Sequence, residues 1–94
     1  MANLNDRRRT VTYRMVQDIA DQAVSDLLQK MHEKGPGAFV HRHEVMGCLY
    51  EEWNELIEAA HDRSQERMIA ELYDIAMAAI FSIASVALMP PGQR

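Results

Sequence analysis

One cysteine in 94 residues leaves no intramolecular disulfide, so packing alone has to hold the fold. The lone thiol, Cys48, is compatible with a reducing compartment, and a cytoplasmic location is the expectation. Proline and glycine are scarce as well. All 3 prolines and most of the 4 glycines gather in Gly35-Pro36-Gly37 and Pro90-Pro91-Gly92, which marks these as breaks and leaves the chain between them free to form helices. No segment shows the alternation of a strand, and no repeat or low-complexity tract suggests a second domain. Positive charge is in the minority: 10 Lys and Arg against 14 Asp and Glu give a net charge of −4, and the one basic cluster, Arg7-Arg8-Arg9, lies in a polar leader. That balance offers no general attraction to phosphate backbones, so nucleic acid is not an expected partner. No N-terminal stretch has the layout of a signal peptide. The longest uncharged run, Ile75 to Met89, holds two serines and falls short of the ~18–20 apolar residues of a span, so no membrane partner is expected either.

What is present is helical periodicity. With 48% hydrophobic and 26% charged residues the chain has the composition of a folded domain. After a flexible leader over 1–9, Val16, Ile19, Ala20, Ala23, Leu27 and Met31 recur at three- and four-residue spacing from a cap at Thr10 or Thr12 to the break at Gly35. A second helix is expected from His41 or Arg42 to about His61, its apolar stripe being Val45, Leu49, Trp53, Leu56 and Ala60. A third runs from about Gln65 to Leu88, with Asp62 or Ser64 as its cap and Met68, Leu72, Ile75, Ala79 and Ile83 toward the core. The fold class is therefore all-α: an antiparallel bundle of three main helices in one domain over 10–89, followed by a tail over 90–94. A helix as apolar as the third needs more cover than so short a chain supplies, which predicts completion of the bundle by oligomerisation.

Two acidic pairs share one spacing, Glu52-x-x-Glu55 on the second helix and Glu71-x-x-Asp74 on the third. Residues three apart project from one helical face, so each pair aims two carboxylates in one direction, beside small residues: Cys48 and Ala59 in one case, Ala78, Ser82 and Ser85 in the other. Four carboxylates gathered between antiparallel helices repel one another unless a cation lies among them, and oxygen-only ligands suit Mg²⁺ or Mn²⁺. Glu51 and Glu58 project to the solvent side and need no such explanation. A plainer reading stays open, in which Arg67, four residues before Glu71, makes a surface ion bridge with it. Zinc, suggested by His41, His43 and Cys48, is the weaker metal reading, because structural zinc sites draw on clustered thiolates.

The run Leu49-Tyr50-Glu51-Glu52-Trp53-Asn54-Glu55-Leu56, with Ala59-Ala60 and then Glu71-Leu72-Tyr73-Asp74-Ile75, resembles the all-α nucleoside triphosphate pyrophosphohydrolase superfamily of MazG-like proteins, whose pattern is E-E-x-x-E-L followed by E-x-x-D. The likeness covers about His41 to Ser85, and the His43 to Gly47 run resembles short phage-type members. It implies a helical homodimer or homotetramer that binds Mg²⁺ and splits a nucleoside triphosphate between its α and β phosphorus atoms. Glu52, Glu55, Glu71 and Asp74 would be the metal ligands and the catalytic set. The family commonly places basic residues after the second acidic pair to hold the triphosphate tail, whereas this chain has none from Asp74 until Arg94. Lys30, Lys34 and Arg67 are the expected substitutes, with Arg42 and Arg63 behind them; Trp53, Tyr50, Tyr73 or Met77 can wall the base, and His41 can cap its helix or touch substrate. A non-catalytic helical interaction module and a phosphoribosyl-ATP pyrophosphohydrolase remain as alternatives.

Overall fold

In a computed structural model describing residues 8–94, three helices and no strand are present among the described residues: α1 (Tyr13–Lys34), α2 (Arg42–His61) and α3 (Gln65–Leu88). Most of the leader expected over 1–9 lies outside the described residues. Each helix begins where a side chain satisfies a free backbone N–H of the first turn. Thr12, rather than Thr10, accepts from the Met15 N–H at 3.1 Å, and Ser64 accepts from the Arg67 N–H at 3.2 Å. At the head of α2, His41 Nδ1 accepts from the His43 N–H at 3.2 Å. Asp62 closes α2 instead of opening α3. α1 ends as its glycine predicts, with Gly35 at φ 92 and its N–H bonded to the Met31 carbonyl at 2.8 Å.

Between α2 and α3 the chain reverses in three residues. Arg63 takes a left-handed conformation, φ 54, and its N–H returns to the Ala60 carbonyl at 3.1 Å. So tight a link makes α2 and α3 an antiparallel hairpin, and these two form the closest pair of elements. α1 leans on α3 and not on α2. The 90–94 tail turns back on the hairpin: the Arg42 N–H donates to the Gln93 carbonyl at 2.7 Å and the Arg42 guanidinium to the Gly92 carbonyl at 3.1 Å.

The buried side of α3 is not the one its bulky residues mark. Leu72 and Ile83, expected in the core, are 48% and 71% exposed, while Met77, Ser82 and Ser85 are enclosed. The physical reason is size. Serine and alanine on the acid-bearing side let neighbouring backbone come close, as where the Phe39 N–H donates to Ser85 Oγ at 3.1 Å, so Leu72 and Ile83 are turned outward while Met68, Ile75 and Ala79 of the same stripe stay half-buried. Trp53, expected in the core of α2, is likewise 53% exposed, and Val16 and Ile19 on α1 are uncovered. Ala23, Ala59, Met77 and Met89 are the only fully enclosed apolar residues among those described. The single chain is elongated, 54 × 27 × 25 Å with a radius of gyration of 16.4 Å. A compact domain of this length would have a radius near ~12 Å.

One expectation about membranes also needs correcting. The uncharged run from Ile75 is only part of α3, which begins at Gln65 as its periodicity predicts, and the helix's 24 residues include an 18-residue window of mean hydropathy 1.7, enough by length and composition to cross a bilayer. Length therefore does not separate α3 from a span. Glu71 and Asp74 within it weigh against one, since carboxylates are costly in hydrocarbon.

Ser85→Ala removes the acceptor that holds the loop after α1 against α3, leaving the half-buried Phe39 N–H unpaired. The expected loss is about 1 kcal/mol of unfolding free energy, read from urea denaturation with an unchanged m-value.

Candidate metal centre

The hairpin sets the register. Because α2 and α3 run antiparallel from a three-residue link, Glu52 and Glu55 come level with Glu71 and Asp74, and the three-residue spacing turns each pair toward the other. One carboxylate oxygen from each of the four lies within 4.8 Å of the others. Among the described residues no other group of three or more Asp, Glu, His or Cys is gathered in this way.

The cluster is short of positive charge. Burial, then the charges of Glu55, Asp74 and Glu71, push the Glu52 carboxyl above the usual range, with Lys30 opposing. Glu71 is also raised, first by desolvation, then by a hydrogen bond and repulsion from Glu55, with Arg67 opposing. Glu52 Oε2 and Glu71 Oε2 are buried without a hydrogen-bond partner. A buried oxygen left unpaired is costly, and four carboxylate oxygens gathered in this way could hold a metal ion. Protonation is the alternative relief, and the upward shifts of Glu52 and Glu71 are its signature.

Beside the cluster lies a cleft of about 430 Å³ lined by Lys30, Lys34, Glu52, Asp74 and Met77, with Phe39 and Phe81 at its apolar end. Lys30 Nζ stands 3.7 Å from Asp74 Oδ1. Of the residues expected to touch substrate, Lys30, Lys34 and Met77 are thus brought to the acids. Trp53, Arg67 and His41 do not line this cleft. Arg67 pairs with Asp62, not with Glu71, although its charge still reaches Glu71. His41 is taken up in capping α2 and stacks on His43 at 4.7 Å. Cys48, its thiol pushed up by burial and by Glu52 and Glu51, is a poor thiolate ligand.

The aromatic corner, Phe39 against Phe81 with ring centroids 5.3 Å apart and planes at 84°, was not among the expected base-binding residues. Phe39 sits in a loop and Phe81 inside an apolar run, so periodicity gives neither a distinguishing signal.

Comparison of the chain with protein-family models, with curated proteins and with solved structures finds no match. The functional reading therefore rests on residues and geometry.

Carboxyls raised in the folded state hold protons that the unfolded chain releases. Their stabilising contribution is present at low pH and is lost as pH rises from the ordinary carboxylate range through the elevated values of Glu52 and Glu71. Metal-free melting temperature, scanned from about pH 4 to 7, should fall more for wild type than for Glu71→Gln. Saturating Mg²⁺ should flatten that difference, because the cation binds the deprotonated form.

Proposed function

We propose that this chain is a Mg²⁺-dependent nucleoside triphosphate pyrophosphohydrolase of the MazG-like kind, cleaving the α–β phosphoanhydride to nucleoside monophosphate and pyrophosphate, with Mn²⁺ able to replace Mg²⁺. One observation carries the reading: four carboxylates from two helices meet beside a cleft that also holds two lysines. The E-E-x-x-E-L and E-x-x-D motifs add to it independently of the geometry.

Glu52, Glu55, Glu71 and Asp74 would hold the cation. When bound, Mg²⁺ supplies neutralisation of charge on the phosphate oxygens and a more acidic water. The chain's own groups do the remainder. Lys30 and Lys34, one turn apart on α1, face the cleft where a triphosphate tail would lie, which answers the lack of basic residues after Asp74. Met77, Phe39 and Phe81 form an apolar wall for the base. In the reaction the water oxygen bonds to phosphorus, the α–β P–O bond breaks, pyrophosphate leaves with the bond pair, and a carboxylate of the cluster takes the water's proton. Crowding suits a member of this set to that task, since it raises proton affinity.

The same reading places the working unit in a homodimer or homotetramer in the cytoplasm. So few enclosed apolar residues give one copy little stability, and large apolar side chains are exposed on both helices of the hairpin, at Met46, Tyr50 and Trp53 on α2 and at Leu72 and Ile83 on α3. A second reading, a non-catalytic helical module, draws on the Lys30–Asp74 bridge, which answers one acid without a cation.

Pyrophosphate release measured with Mg²⁺ over a panel of nucleoside triphosphates separates the two. Turnover that vanishes with chelator and drops at least about a hundredfold in Glu52→Gln is expected. No release with any nucleotide, from a protein that melts cooperatively, would favour the non-catalytic module. For the assembly, Ile83→Asp should convert the sedimenting species to a monomer of lower melting temperature, whereas an unchanged mass would reject α3's outward stripe as the interface.

A further inference from the structure

Among the described residues Lys30 is the one cation paired with the acid cluster, and it comes from the helix that contributes no acid to it. Its ammonium meets Asp74 Oδ1 at 3.7 Å, its charge is felt by Glu52, and its side chain lines both the cleft with Lys34 and a second hollow with Asp26, Glu33 and Tyr73 on the other side of α1. Half-exposed at the rim, it is free to change partner.

Resting on the metal reading above, we infer that Lys30 is an exchangeable counter-ion: it serves Asp74 while the cluster lacks a divalent cation, and passes to the substrate's phosphate tail once Asp74 turns to the metal. The charges require an exchange of this kind. A lysine beside four carboxylates is attracted, but the same lysine beside a carboxylate-bound dication is repelled, and the nearest unmet negative charge is then the polyphosphate in its own cleft. Metal loading and tail binding thereby become coupled through one side chain, each favouring the other. Lys30 acts here as a positioning residue. Lys34, without an acidic partner among the described residues, has no part in the exchange and serves the tail alone.

The test is Lys30→Gln, with Lys30→Arg as the conservative control, in the full chain. Three readouts are taken: metal-free melting temperature, Mg²⁺ affinity by calorimetry, and pyrophosphate affinity with and without Mg²⁺. Lys30→Gln should melt lower without metal yet bind Mg²⁺ about three- to tenfold more tightly, an effect that shrinks as salt is raised. Its affinity for pyrophosphate should fall about tenfold, and only when Mg²⁺ is present. Lys30→Arg should stay near wild type in all three. Opposite signs for metal-free stability and Mg²⁺ affinity are the signature, because loss of a merely structural bridge would lower both. Mg²⁺ affinity unchanged or weakened in Lys30→Gln, or pyrophosphate affinity unchanged, overturns the exchange while leaving the metal centre standing. Failure of wild type itself to bind Mg²⁺ removes the metal centre and the exchange together.

Discussion

Repulsion among Glu52, Glu55, Glu71 and Asp74 is the constraint around which this molecule is arranged. Left to themselves, like charges within 4.8 Å of one another would push α2 and α3 apart. The helices nonetheless form the tightest pair in the chain, held by the turn at Arg63 and by small side chains at their contact. The chain answers the repulsion in two ways at once: a raised proton affinity at Glu52 and Glu71, and the ammonium of Lys30 against Asp74. Each answer is partial, and two buried oxygens remain without a partner. A divalent cation would answer all of them together, and that is what supports the proposed metal centre.

The cost of turning the acid face inward is paid on the outside of α3. Helices that approach over alanine and serine bury little apolar area, so the large side chains are left uncovered and the core stays thin. Site and surface are thus two results of one choice of face. The orientation that brings the carboxylates together is also the one that leaves Leu72 and Ile83 seeking cover, and that tie between chemistry and assembly underlies the proposal of a multi-copy unit.

Helix limits were legible in the sequence almost to the residue, because their causes are local: a threonine or serine that caps, a glycine that takes positive φ, a proline pair that cannot continue. The acid quartet was legible for a related reason, since three-residue spacing on two neighbouring helices leaves few ways to arrange the side chains. The facing of α3 was not. Periodicity shows which residues lie on one stripe but not how much of that stripe this chain itself can cover, so Leu72, Ile83 and Trp53 were assigned to the core although a single copy leaves them exposed. Phe39, Phe81 and the Lys30 bridge depend on how α1 and its following loop settle on α3, a long-range matter on which local pattern is silent. Arg67 illustrates the same limit: two acids lay within its reach in the sequence, and its guanidinium pairs with Asp62, the one before its helix.

The three-residue link between α2 and α3 has a kinetic side. All four carboxylates belong to one hairpin, so their meeting requires the closure of only a short loop, while α1 must be drawn in across a longer stretch of chain. Local contacts of this type form fastest. The acid quartet would therefore be assembled early on the way to the native state, before α1 settles on the hairpin.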